Sequence, residues 1–563
     1  MVRSILRSEF TPFVFMPLTL RQPSGATLSR WRIAALILLG WPLGLSVHAQ
    51  DAPAPGSSSP LPALGDAASQ ELSPMAERRL GDRIMRSILR DPDVVDDPQV
   101  LEYIGQVWAR LIAGAKQRGE IGPELEASHA WEPFLVRDRT VNAFALPGGY
   151  IGVHLGLLAM TSTPDELASV LAHELSHVTQ RHIARMIGQQ SRQSWVSLAS
   201  MVLGILAASR NPQAAQAMIY GGQAVAVQGQ LNFSRDMERE ADRVGFGVLG
   251  EAGFDQAGMA EMFEHLQQAS RLNDDGSYPY LRTHPLTTER IGEAHSRLGP
   301  GGWRVTTAQS PGRDTAIWAQ HTLMAARAKV LMDTRSVSLQ NLANPDVKKG
   351  ATPLQTVAAY YTAGLAAQRS GDATRGLALL NQARQAARGL PAGQQAMAQR
   401  VLSLAVVDNQ LIAHQPAEAA ATLNRELADN RAAAHVDARP ELLLAAHIAL
   451  SLPEGRAQQS AWSDAAARLQ THVSLHPHDA AAWAVLGELW QRLGEPLRAV
   501  RAEAEAAAAL GDLPGAIDRI QGAQKRFRQP NAADVVELSV MDSRLKTWQR
   551  QQREDMREDN GGA

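Results

Sequence analysis

Two histidines four residues apart, with a glutamate beside the first, constrain this chain more than any other feature: Val170-Leu171-Ala172-His173-Glu174-Leu175-Ser176-His177. On a helix, residues at i and i+4 lie on one face a turn apart, so His173 and His177 can hold one metal ion between them. Glu174 sits beside the first ligand. From there it can take a proton from a water that zinc has made acidic, which is the arrangement of a zinc hydrolase. Local signals agree with a helix: Thr163 suits the N-cap, Pro164 the first helical position, and Asp165 and Glu166 the positive end of the dipole. These predict a helix over about 164–190. The bland alternative is the same spacing on an ordinary amphipathic helix.

A second segment narrows the choice. Asn232-Phe233-Ser234-Arg235-Asp236-Met237-Glu238-Arg239-Glu240-Ala241-Asp242 is also compatible with a helix. A catalytic zinc site takes three protein ligands and keeps one position open, and Glu238 can be the third ligand. Asp242, a turn further on, can accept the free ring N–H of a ligating histidine and so fix its tautomer. Glu240 is assigned to the solvated face of the same helix.

Further motifs are Asn142-Ala143-Phe144-Ala145-Leu146-Pro147-Gly148-Gly149, Arg181-His182, Thr283-His284-Pro285 and Arg290-Ile291. With the two segments above, they resemble the BepA-like and HtpX-like zinc metallopeptidases, a gluzincin group, over roughly residues 71–300. The resemblance implies one zinc ion per chain on His173, His177 and Glu238, with Glu174 as general base and Asp242 behind the ligands. It also places His284 near the metal, as a regulatory fourth ligand in a resting state or as an oxyanion stabiliser. A helix-entry turn at Pro285 is the other reading of that loop. Arg290 either pairs with a carboxylate near the site or is solvated.

Phe134-Leu135-Val136 and Tyr150-Ile151-Gly152-Val153 read as short strands. Between them, Asn142, Gly148 and Gly149 suggest an edge that binds an extended substrate, since glycines let a backbone approach closely. Spacing alone fits a hairpin turn equally well. His154 is assigned to packing or the surface.

The rest of the chain divides by composition. Residues 1–49 read as a signal peptide, with Arg30 and Arg32 before an apolar run from Ile33 to Val47 and small residues at the cleavage point, translation starting at Met1 or Met16. Residues 50–70 read as a flexible linker, 71–300 as the peptidase domain and 301–351 as a connecting helix and loop. Trp195 to Ala208 and Met218 to Val227 read as a helical hairpin over the site. A peripheral membrane contact through 195–227 is the alternative, because each run is shorter than the roughly 20 residues of a span. With no cysteine in the chain, disulfides, thiolate ligands and a thiol nucleophile are excluded. A formal net charge of −2 gives no nucleic-acid footprint.

Beyond about residue 352 the composition shifts to Ala, Leu, Gln and Arg with helical period. Trp483, Leu486, Gly487, Trp490, Ala499 and Ala506 fall at the spacing of a tetratricopeptide unit, and Tyr360, Ala363, Gly364, Gly376 and Ala383 give a weaker copy. The expected fold is mainly α: an α+β zincin-like domain with a small sheet, then an α-solenoid of tetratricopeptide-type hairpins over 352–528. A C-terminal helix through Leu538 to Gln549 and a disordered tail fill 529–563. The leader and the resemblance together imply a periplasmic zinc endopeptidase of a Gram-negative cell, and the resemblance implies that it degrades misfolded or stalled outer-membrane proteins. Its solenoid would dock clients and the outer-membrane assembly machinery. The alternative is a chaperone or adaptor with a latent metal site capped by His284.

Overall fold

Apolar residues at helical spacing make this chain mostly helix around one small mixed sheet. The computed structural model describes residues 72–188, 234–272, 278–299, 314–429, 438–453, 455–527 and 532–559. The expected leader, the linker and the apolar runs between 195 and 227 lie outside the described residues.

The sheet has strands β1 (Val94–Val95), β2 (Glu132–Val136), β3 (Ala143–Leu146) and β4 (Tyr150–His154), in the order β1-β2-β4-β3. β2 and β4 run parallel, and β3 closes one edge antiparallel to β4, with Leu146 opposite Tyr150. β4 is buried along its whole length, so it reads as a continuous apolar run rather than an alternation. Side-chain space is scarce here: a Cβ on Gly152 would stand 2.3 Å from the Phe144 ring. The stretch expected as either edge or turn contains both, because Ala143–Leu146 is the edge strand and Pro147-Gly148-Gly149 is the turn. Gly148 and Gly149 have φ of 77° and 83°, a left-handed pair that glycine adopts without penalty.

The motif helix spans Pro164–Thr179, starts at a Thr163 cap that accepts from the Glu166 backbone N–H, and is buried throughout. It stops well short of 190. Arg181 turns the chain with φ of 52°, and a separate helix, His182–Gly188, follows. Helix Arg235–Glu251 crosses the motif helix closely, with the Cβ position of Gly245 only 3.1 Å from the Ala172 carbonyl oxygen. That crossing brings the 238–242 turns against His173. Helix Pro98–Gln117 packs on both.

Helix Thr315–Leu331 joins the two halves of the chain. His321 Nδ1 lies 2.7 Å from the Tyr103 hydroxyl, and Arg327 pairs with Asp97 at 2.8 Å. Nine helices then follow in succession among the described residues, from Pro353–Arg369 to Leu513–Arg526, including the middle stretch whose motif match is weak. Small residues set their closest approach: a Cβ on Gly364 would stand 2.9 Å from Leu380. These helices stay attached to the earlier ones. Arg400 bridges Glu102 and Glu441 at 2.8 and 2.7 Å, and Arg439 bridges Asp96 and Asp479 at 2.6 Å each. The last helix, Ala532–Asp559, is longer than the expected 538–549 because Met541, Leu545 and Trp548 bury against its neighbours and Asp555 pairs with Arg86 at 2.7 Å. No helix among the described residues is long and apolar enough to cross a membrane.

Burial alone would raise the Asp97 carboxyl, but Arg327 outweighs it and holds the group below its ordinary value of 3.8. A depressed carboxylate stabilises the fold above its unfolded pKa, and that contribution is lost as pH falls through the folded value. Acid unfolding of the wild type should therefore include a component below pH 3.8 that Asp97→Asn lacks. Breaking one side of this buried pair with Arg327→Met should cost about 3–5 kcal/mol in urea unfolding, and a change below about 1 kcal/mol would refute the assignment.

Candidate metal centre

His173 and His177 face across one turn of the motif helix, with their Nε2 atoms 3.0 Å apart. Glu238 enters from the crossing helix: its carboxylate oxygens lie 3.5 Å from His173 Nε2 and 3.4 Å from His177 Nε2. His284 arrives from the loop after the short helix Tyr280–Thr283. Its Nδ1 is 3.3 Å from His173 Nε2 and 3.0 Å from Glu238 Oε1. Donor atoms at zinc distances from one centre, about 2.0–2.1 Å, stand about 3.3 Å apart at tetrahedral angles. The four buried side chains offer atoms all within 4.8 Å of one another, so the set fits such an ion. Two imidazoles and a carboxylate also suit cobalt or manganese.

Glu174 faces the cluster without belonging to it. Its Oε2 accepts from the Ala145 backbone N–H at 3.1 Å, which ties it to edge strand β3. Its Oε1 is buried without a hydrogen bond and lies 3.4 Å from His284 Nε2. Burial, only partly offset by His284 and His173, raises the Glu174 pKa. This makes it a stronger base than a solvated carboxylate.

Behind the ligands, Asp242 Oδ1 accepts from His173 Nδ1 at 2.9 Å. Arg290 donates to the two Asp242 oxygens at 2.6 and 2.8 Å and approaches Glu238 Oε2 at 2.8 Å, so it is buried and paired rather than solvated. Burial works against the Asp242 carboxylate, but its bonds to His173 and Arg290 prevail and hold it at about 2. Glu238 is likewise kept well below the carboxylate range against its burial, chiefly by His284, His173 and His177. Both are ionised at neutral pH, as a ligand and its support must be. Desolvation disfavours a charged His173, yet Asp242 and Glu238 hold its pKa up at about 9.

Sequence reasoning missed three features. Glu240 is partly exposed, as expected of its face, but it is also engaged: its Oε2 accepts from His182 Nε2 at 3.1 Å and from Arg185 Nη1 at 2.9 Å. Burial pulls His182 down to about 4 against Glu240, leaving it neutral. Tyr280 packs its ring 4.7 Å from that of His284, and its backbone N–H reaches the Val141 carbonyl at 3.3 Å, anchoring the His284 loop to the entry of β3. Ala145 offers the site only a backbone N–H, which no side-chain motif can signal. Of the expected substrate residues, Gly148 and Gly149 sit in the turn with carbonyls engaged by Ala130 and Glu132. Asn142 is buried just before β3, and its carbonyl accepts from the His154 N–H at 3.1 Å. His154 is buried and bonded to Thr140. Pro285 does not open the next helix, which Thr287 caps.

Residues 103–298 match Peptidase family M48. A putative beta-barrel assembly-enhancing protease of Vibrio cholerae is 37% identical over 262 residues, 45% of this chain and 51% of that protein. The beta-barrel assembly-enhancing protease of Escherichia coli is 34% identical, over 43% of this chain and 47% of its own length. The mitochondrial metalloendopeptidase OMA1 of Schizosaccharomyces pombe is 34% identical, over 34% of this chain and 50% of its own. The chain thus spans about half the length of the curated relatives it matches.

Asp242→Asn leaves His173 in place but replaces its anionic acceptor. Zinc affinity, measured by competition with a chelator, should fall about 10- to 100-fold. An unchanged affinity would show that Asp242 does not support the ligand.

Proposed function

We propose that this chain, which carries a Peptidase family M48 domain over 103–298, is a zinc-dependent endopeptidase. The observation that carries the reading is Glu174: a buried carboxylate with one oxygen on the β3 edge and the other unbonded, beside a cluster of metal-type donors. His173, His177 and Glu238 would hold the ion. Zinc bound there supplies Lewis acidity, lowering the pKa of a water and polarising a carbonyl. Glu174 Oε1 takes the proton of the attacking water, and the same carboxyl returns it to the leaving amine. The β3 edge receives the substrate backbone as an added strand, which places a scissile bond near Glu174. Asn142, Gly148 and Gly149 shape that edge indirectly, through the turn and the strand entry. Asp242 and Arg290 keep the ligands aligned.

The relatives' names support a role in β-barrel assembly. The sequence reading adds export by the leader at 1–49 and work in the periplasm on outer-membrane proteins. The domain boundaries follow the sequence reading, with the peptidase over 71–300 and tetratricopeptide-type hairpins over 352–528. Those hairpins dock unfolded or stalled protein clients and the assembly machinery.

A second reading draws on His284, whose Nδ1 lies 3.0 Å from Glu238 Oε1 and 3.3 Å from His173 Nε2 and would be a fourth ligand. In this reading the site rests capped, and the chain also serves as a chaperone or adaptor until the 280–284 loop withdraws. Cleavage of casein by the zinc-loaded full chain separates the readings. Glu174→Gln should keep its zinc and lose about 100-fold or more in rate, and His284→Ala should raise the rate if the cap is real. Equal rates for wild type and Glu174→Gln would remove the endopeptidase assignment.

A further inference from the structure

Each ligating imidazole needs its second ring nitrogen engaged, because that hydrogen bond decides which tautomer faces the metal. His173 meets the need with the Asp242 carboxylate. His177 does not. Its Nδ1 faces a second imidazole, at 2.8 Å from His182 Nδ1, and a neutral imidazole donates from one nitrogen and accepts at the other.

We propose that His182 and Glu240 form a positioning relay that sets the tautomer of His177. This rests on the metal-centre reading above. An ionised Glu240 only accepts, so the hydrogen of His182 sits on Nε2, 3.1 Å from Glu240 Oε2. His182 Nδ1 is then an acceptor. His177 therefore carries its hydrogen on Nδ1 and presents the lone pair of Nε2 toward His173 and Glu238. Arg185, 2.9 Å from the same Glu240 oxygen, holds the carboxylate in place. Without that acceptor His182 can carry its hydrogen on Nδ1, which forces His177 to put its own on Nε2, where a ligand needs a lone pair.

The backbone is arranged for this contact. Five residues along an uninterrupted helix turn through about 500°, which would carry residue 182 away from the face of His177. Instead Arg181, not a glycine, adopts a left-handed φ of 52° and ends the helix. Its side chain is fastened to Glu77 at 3.3 Å and to the Leu72 carbonyl. The turn swings His182 back until its ring centroid lies 4.8 Å from that of His177. One helix thus serves both histidines: Glu238 as ligand, Asp242 behind His173, and Glu240, through His182, behind His177.

The test uses the full chain with Glu240→Ala, Glu240→Gln and His182→Phe. Zinc affinity is read by chelator competition, and ring tautomers by 15N-histidine NMR. Glu240 is partly exposed, so truncating it leaves no buried cavity. Glu240→Ala should weaken zinc binding about 10- to 100-fold and shift the His177 ring away from the Nδ1–H form. Glu240→Gln, whose amide oxygen still accepts from His182, should recover most of the affinity, and His182→Phe should resemble Glu240→Ala. The relay is overturned if Glu240→Ala binds zinc as tightly as the parent with His177 unchanged, or if glutamine rescues nothing. A parent protein that binds no zinc overturns both the relay and the metal centre. These readouts do not depend on whether the loaded protein cleaves casein, so loss of the peptidase reading alone would leave the relay standing.

Discussion

The meeting of three separated segments at one point depends on the close crossing of two helices. Gly245 against the backbone at Ala172 allows helix 235–251 to lie near enough for Glu238 to reach the His173 and His177 nitrogens. A side chain there would press on the backbone of the motif helix, and the crossing would have to give by a few tenths of an ångström. A displacement of even about 1 Å would leave the carboxylate outside the span of one ion's donors. The crossing also buries Glu174, Glu238 and Asp242 together, and buried carboxylates repel unless each is compensated. Arg290 supplies the compensation for two of them, while Glu174 is left with a backbone N–H and a raised pKa. The same low-dielectric setting that makes the cluster costly in the absence of a cation would favour a cation held among its donors.

The later helices add a second layer of constraint. Arg327, Arg400, Arg439 and Arg86 each tie a distant segment to a carboxylate across the boundary between the early and late halves of the chain. Three of these contacts converge on residues 96–102, where helix 98–117 begins, and this helix packs directly against both helices of the metal centre. The later helices therefore brace the scaffold on which the buried His, His, Glu and His cluster stands.

Much of this arrangement was legible in the sequence, for physical reasons. His173, Glu174 and His177 lie on one helix, where spacing determines direction, and Glu238 and Asp242 repeat that logic on a second. Capping at Thr163 and Pro164 was readable because the hydrogen-bonding needs of a helix end are local. What stayed hidden depends on non-local geometry. Arg181 is an unusual residue for a left-handed turn, so the break before His182 carried no glycine signal. Glu240 resembles any exposed helical glutamate until that turn brings His182 to it. Two-residue β1 is too short to show an alternation, and the last helix gains its length from packing rather than propensity.

That four buried side chains form one metal-binding centre is tested most directly by anomalous diffraction at the zinc edge from crystals of the zinc-loaded full chain. A single strong peak is expected about 2.0–2.1 Å from Nε2 of His173, Nε2 of His177 and a carboxylate oxygen of Glu238, with His284 Nδ1 or a solvent atom completing the tetrahedron. A fully loaded protein whose peak lies elsewhere, or whose zinc touches only one of those three residues, would contradict such a centre.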